Sequence, residues 1–291
     1  MIQKVIDINI DFTKLGRNQE DYQPKLYAYI PNDQKQLAEY MPKRPAMLIL
    51  PGGAYRGTSD REAEPIVLFY LSKGYNCFVL KYSCSPSRFP VQLAETGKAL
   101  LTIKENAEEW RVDTEKIFVC GFSAGGHLAA SLGVFWDKPF LADILGTTSD
   151  MLKFRALVLS YPVIYCPDEN HCVGRRHFNG AIATYKNLLG EKYEDKEAVE
   201  MQNLNKQVSK NTPPTFIWST FEDAQVPVES SLLFALALRK HDVPTELHIY
   251  EHGGHGQATG TKVSCNSNQR LADWMEISYL WLEEEHGLPK V

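Results

Sequence analysis

Three groups of residues in this chain have the types and spacing for nucleophilic catalysis. The first is Gly121-Phe122-Ser123-Ala124-Gly125. A serine hydroxyl is a weak nucleophile until a base takes its proton. Histidine is the usual base, and a carboxylate holds it in the tautomer that can accept that proton. The second group, Thr220-Phe221-Glu222-Asp223-Ala224-Gln225-Val226-Pro227, supplies two adjacent carboxylates; Asp223 is the expected acid and Glu222 its rival. The third, Glu251-His252-Gly253-Gly254-His255-Gly256, supplies the base. His255 is the expected residue because flanking glycines let its backbone bend back over Ser123; His252 is its rival.

The tetrahedral intermediate of acyl transfer also needs donors for its oxyanion. One is expected from the amide of Ala124, just after the serine. The other is expected from Pro51-Gly52-Gly53-Ala54-Tyr55, where glycines allow the backbone to approach a ligand. Gly53 is the expected donor there, with Gly52 in the same loop and Ala54 next.

These residues need elements that hold them. Lys116–Cys120 is a short apolar run that reads as a buried strand, and Gly126–Leu132 opens a helix. A strand, G-x-S-x-G and a helix in succession form a tight turn that lifts a serine above a sheet. Ala46–Leu50 is the apolar run before the Gly52-Gly53 loop. Thr215–Ser219 precedes the Asp223 loop, and Thr245–Tyr250 precedes the His255 loop. Other expected strands are Val5–Ile10, Lys25–Ile30, Asn76–Lys81 and Ala156–Ser160, the first two as a hairpin at one sheet edge. Helices are expected over Asp60–Ser72, over the periodic positions from Leu93 to Trp110, over Ser230–His241, and at the end through Leu271, Trp274, Ile277 and Trp281. Pro31–Arg44 reads as a loop. Strands alternating with helices imply an α/β fold of about eight mostly parallel strands, helices on both faces, in a single domain. The stretch from 166 to 207 is expected to be an irregular insertion beside the site.

Composition narrows the function classes. The chain has 291 residues, 44% of them hydrophobic, and a net charge of −5. That charge offers no basic surface for nucleic acid or anionic lipid. No apolar run approaches the ~18 residues of a membrane span. The first residues show no apolar leader, and six cysteines in this length do not suggest a disulfide scaffold. A cytoplasmic location is expected on both grounds. His248 lies within an expected strand and reads as a packing residue. His127, one turn beyond Ser123, reads as structural. Cys166, His171, Cys172 and His177 lack regular metal-ligand spacing, so no metal is expected. Phe135 and Trp136, at the end of the Ser123 helix, read as core rather than pocket.

The motifs Pro51–Tyr55, Gly121–Ala129, Asp223–Pro227 and Gly253–Gly256 together resemble the bacterial α/β-hydrolase esterases known as acetyl xylan esterases, relatives of the hormone-sensitive-lipase group. The resemblance covers most of 44–136 and 213–256. It departs where Pro51 replaces the His of many relatives, and it does not extend to 166–185. It implies a cofactor-independent serine carboxylesterase that removes small acyl groups, often acetyl, from sugars. Ser123, Asp223, His255 and the amides of Gly53 and Ala124 match that family's working residues. Two other classes share the features: a peptidase or amidase on the same scaffold, and a non-catalytic binding protein with a hydrolase fold.

Overall fold

The computed structural model describes residues 1–15, 22–32, 35–167, 178–265 and 269–286. Its strands are β1 (Ile2–Asp7), β2 (Lys25–Ile30), β3 (Arg44–Leu50), β4 (Asn76–Lys81), β5 (Val112–Phe122), β6 (Ala156–Ser160), β7 (Thr215–Thr220) and β8 (Thr245–Tyr250). All eight join one sheet in the order β1-β2-β4-β3-β5-β6-β7-β8. The β1–β2 and β2–β4 pairs are antiparallel, and every other pair is parallel. The expected hairpin therefore sits at the sheet edge, but β1 starts at Ile2 rather than Val5. The Ile2↔Ile30 to Asp7↔Lys25 register sets it.

The inner runs of the central parallel strands, Ala46–Leu50 in β3 and Ile117–Cys120 in β5, are apolar because both faces of the sheet are covered there, whereas the edge strand β8 keeps Glu246 and His248. Along β3, Ala46, Leu48 and Leu50 enter the core on one face, and Met47 and Ile49 enter the core on the other. Strand β5 repeats this alternation, with Ile117 and Val119 on the first side and Phe118, Cys120 and Phe122 on the second. The period-2 geometry of a strand divides one sequence between two cores.

The helices depart from the expected bounds at physically identifiable points. The run from Asp60 to Ser72 is a 3-10 turn, Asp60–Glu62, followed by a helix, Glu64–Ser72. Pro65 has no N–H to continue a helix, and Ala63 breaks the run at φ −115°, ψ −99°. The next helix, Val91–Glu105, ends where the Asn106 side chain donates back to the Thr102 carbonyl, and Ala107–Trp110 forms a separate turn. Pro31–Arg44, expected as a loop, contains a short helix at Lys35–Tyr40.

The part of the expected insertion that is described from 178 to 207 is largely helical, not irregular. It holds Asn179–Leu189 and Lys196–Gln202, joined by the 3-10 turn Gly190–Glu194. Asp195 caps the second helix by accepting the Glu197 amide at 2.9 Å. Ala181, Tyr185 and Leu189, four residues apart, pack with Val163 and Val226 into a small core of their own. Among the described residues no helix is long and apolar enough to cross a membrane.

Candidate active site

Strand β5 ends at Phe122, and the helix Ala124–Phe135 begins after a single intervening residue. Ser123 makes the turn alone, at φ 53° and ψ −116°. A non-glycine residue in that region is strained and persists only where its surroundings hold it. The Ser123 amide donates to the Ser160 carbonyl at 3.0 Å, and its carbonyl accepts the amides of His127 and Val163. The flanking glycines are required by contact. A Cβ on Gly121 would lie 2.3 Å from the Gly125 carbonyl oxygen, and one on Gly125 would lie 2.0 Å from that of Leu50. The outcome is a serine that is 7% exposed at the start of a helix.

His255 reaches this serine from the loop after β8. Its Nε2 lies 2.8 Å from Ser123 Oγ, and its Nδ1 lies 2.6 Å from Asp223 Oδ2. A carboxylate accepts only, so Nδ1 carries the proton and Nε2 is left free to accept from the serine hydroxyl. Asp223 is 2% exposed. Its other oxygen accepts the amides of Gln225 and Val226 at 2.8 and 2.9 Å. Those bonds compensate the burial of the charge and fix the direction of the carboxylate. Thr220, at the end of β7, donates to the Gly253 carbonyl at 2.7 Å and pins the His255 loop to the Asp223 loop. Gly253 sits at φ 135°, where a Cβ would meet Thr220 and Leu271 at 2.9 Å.

The rival residues lie elsewhere. Glu222 pairs with His252 at 3.2 Å, and that His side chain is 64% exposed. His248 donates to Glu246 at 2.7 Å and packs over the ring of Phe216. His127 is fully buried between Tyr55, whose hydroxyl lies 3.0 Å from Nδ1, and the Gln202 carbonyl, 3.2 Å from Nε2. The carbonyl must accept, so Nε2 bears the proton and Nδ1 accepts from Tyr55. Burial pushes the His127 pKa down to about 4. Phe135 is in the core, and Trp136 donates to the Asn211 carbonyl at 2.9 Å.

The loop Pro51–Tyr55 differs from expectation at Gly52. Gly52 was expected alongside Gly53 as a donor, but its amide donates to Glu62 Oε2 at 2.8 Å, and its carbonyl accepts the Ser59 amide at 2.9 Å. Both peptide groups of Gly52 are therefore occupied. Its part is close packing: a Cβ there would lie 2.7 Å from the Phe122 carbonyl oxygen and 2.9 Å from Ser123 Cβ. The amides of Gly53, Ala54 and Ala124 have no acceptor among the described residues. Gly53 stands at φ 140°, where only glycine is at ease.

The helix Asn179–Leu189 touches two of these loops. Asn187 donates to the Ala54 carbonyl at 2.8 Å, and the Ala181 amide donates to the Gln225 carbonyl at 2.9 Å. Cys166 Sγ donates to the Tyr193 hydroxyl at 3.8 Å; His171, Cys172 and His177 lie outside the described residues. Among the described residues no cluster of three metal-ligating side chains occurs. Sequence reasoning missed Glu62. Asp60 and Glu64 flank it with the same chemistry, and only the broken helix shows which carboxylate turns inward.

Comparison with known proteins places the chain in a family. The family described as BD-FAE matches residues 29–238. The chain is 36% identical over 242 residues to a protein of Butyrivibrio fibrisolvens named endo-1,4-beta-xylanase B, a match covering 80% of this chain and 34% of the relative. It is 25% identical over 251 residues to an acetylxylan esterase of Xylanibacter ruminicola, covering 83% of this chain and 48% of that protein. The chain thus spans about a third to a half of these relatives. Among solved structures, the acetyl ester-xyloside bifunctional hydrolase of Caldicellulosiruptor lactoaceticus superposes with a TM-score of 0.77 at 30% identity, covering 96% of this chain and 95% of the other. On this match of family and fold, the chain belongs to the BD-FAE family of α/β hydrolases, alongside proteins named as esterases.

Proposed function

We propose that this protein is a serine carboxylesterase that removes short acyl groups, acetyl foremost, from carbohydrate esters such as acetylated xylan oligosaccharides. The observation that carries this reading is the continuous contact from Ser123 Oγ through the His255 imidazole to Asp223, at 2.8 and 2.6 Å. Relatives named acetylxylan esterase and acetyl esterase support the acyl group and the sugar. Cys77, Cys84, Cys120 and Cys265 are free thiols, in keeping with the cytoplasmic location that belongs to the same proposal.

In the proposed reaction Ser123 Oγ attacks the ester carbonyl carbon as its proton passes to His255 Nε2. Asp223 holds the imidazole and stabilises its positive charge. The carbonyl oxygen becomes an oxyanion facing the amides of Gly53 and Ala124, and the positive end of the helix Ala124–Phe135 adds to their field. Collapse of the intermediate breaks the carbon–oxygen bond of the ester. The sugar hydroxyl leaves with the proton from Nε2. Water, deprotonated by the same nitrogen, then attacks the acyl-enzyme and releases the free acid, restoring Ser123.

The test is hydrolysis of p-nitrophenyl acetate and of acetylated xylo-oligosaccharides by the intact chain, with a fluorophosphonate probe applied in parallel. The protein is expected to take up the probe and release acetate from both substrates. It should turn over the acetyl ester faster than the decanoyl ester. Ser123→Ala should stay folded, lose labelling, and lose activity by several orders of magnitude. Near-normal turnover by Ser123→Ala would sink the mechanism. Faster decanoyl turnover would sink the short-acyl assignment. An inert, unlabelled wild-type protein would mark a binding protein instead.

A further inference from the structure

We propose that Glu62 is a positioning residue that sets the oxyanion amides and the catalytic base relative to each other; the proposal rests on the esterase reading above. Glu62 is 3% exposed, although Asp60, Arg61 and Glu64 around it are exposed. Its two oxygens are used on different loops. Oε2 accepts the Gly52 amide at 2.8 Å, and Oε1 accepts the Tyr161 hydroxyl at 2.7 Å. The Tyr161 oxygen in turn accepts the amide of Ala258 at 2.9 Å, three residues beyond His255. The Tyr161 ring also stands edge-on to the His255 imidazole, with centroids 5.1 Å apart at 70°.

One carboxylate therefore ties the loop of the oxyanion donor to the loop of the base. Its neighbour Arg61 strengthens the tie, donating from Nη1 to the carbonyls of Gly256 and Ser264, each at 3.3 Å. The consequence for chemistry follows from Gly52. That residue packs against Ser123; Glu62 holds its N–H, and the Ser59 amide holds its carbonyl, which lies in the same peptide plane as the Gly53 N–H, so movement of Gly52 off Glu62 carries the Gly53 amide with it. An oxyanion donor acts only when aimed at the atom that gains charge in the transition state, and small misplacements weaken it steeply. Displacement of the loop should thus reduce the rate of bond making more than ground-state binding.

Glu62→Gln keeps the shape but offers one acceptor oxygen in place of two. If that oxygen stays on the Gly52 amide, the Tyr161 hydroxyl loses its acceptor; if it turns to Tyr161, the Gly52 amide loses its own. Tyr161→Phe cuts the tie to the base loop and leaves the Gly52 bond in place. The experiment measures kcat and KM for p-nitrophenyl acetate with wild type, Glu62→Gln and Tyr161→Phe. Active serines are counted with an organophosphate titrant, and melting temperatures are recorded alongside. We expect kcat per active serine to fall about 10- to 100-fold in Glu62→Gln and roughly 3- to 10-fold in Tyr161→Phe, with KM within about threefold. A merely structural role would lower the melting temperature and the fraction of active serines while leaving kcat per active serine unchanged; that result overturns the proposal. If Glu62→Gln does not fold, Tyr161→Phe decides by the same criterion. A wild-type protein that turns over no ester overturns the esterase reading and this one with it. Wild-type turnover with kcat unchanged in both variants overturns the role of Glu62 alone.

Discussion

Asp223 Oδ2 lies 2.6 Å from His255 Nδ1, while the adjacent carboxylate, Glu222, faces His252 at 3.2 Å. Neighbouring residues on a loop point to different sides. Here the division is between an interior pair and a solvated one: the Asp223 side chain is 2% exposed and that of Glu222 is 46% exposed.

That division predicts four variants assayed side by side. Asp223→Asn and His255→Ala should lose on the order of 10⁴ in turnover, because the first destroys the tautomer of the base and the second removes the base. Glu222→Gln and His252→Ala should stay within roughly tenfold of wild type, since an exposed ion pair contributes little. Steady-state kinetics with circular dichroism checks this. A dead Glu222→Gln or His252→Ala beside an active partner variant would reverse the assignment of that residue.

His127 predicts a pH dependence of stability. Burial lowers its pKa from 6.5 to about 4, so the folded state stays unprotonated at pH values where the unfolded chain already binds a proton. Stability is then fully present above pH ~6.5 and is lost as pH falls towards about 4, by about 3 kcal/mol for this group. Carboxylates add their own acid sensitivity, so a variant must isolate the effect. Urea unfolding of wild type and His127→Gln at pH 7, 6, 5 and 4 should show the wild type more stable at pH 7 and the gap narrowing by about that amount at the low end. A gap that is constant or widens would show that His127 does not titrate in this way.

The glycines predict a contrast in folding. Gly125→Ala would place its Cβ 2.0 Å from a backbone oxygen of β3, which no rotamer change can relieve. A loss of at least about 1–3 kcal/mol is expected, together with loss of the Ser123 geometry. Gly57→Ala meets nothing within 4 Å and should melt within about a degree or two of wild type. Thermal unfolding of the two variants measures this directly, and equal melting temperatures would contradict the packing described around Ser123.

Local chemistry made part of this protein legible before folding is considered. A strand, a glycine-flanked serine and a helix follow one another within a few residues, so Ser123, its turn and the Ala124 amide could be placed from neighbours alone. The alternation of apolar runs with amphipathic stretches carried the eight-stranded α/β sheet, because strand and helix periods are properties of contiguous residues. Asp223 and His255 were legible as candidates, each after an apolar run, but Glu222 and His252 carried the same chemistry one and three residues away. Tertiary structure separated them, since burial and direction depend on what lies across the sheet edge. It also occupied the Gly52 amide, expected as an oxyanion donor, with Glu62, a carboxylate ten residues away that faces inward at the end of the 3-10 turn preceding the break at Ala63. The helix Asn179–Leu189 went unread because its apolar face, Ala181, Tyr185 and Leu189, is a face only when Val163 and Val226 lie against it. Residue type and short-range spacing determined which chemistry this chain can attempt; long-range contact decided which atoms are aimed at one another, because distance and desolvation come into being only when separate loops meet.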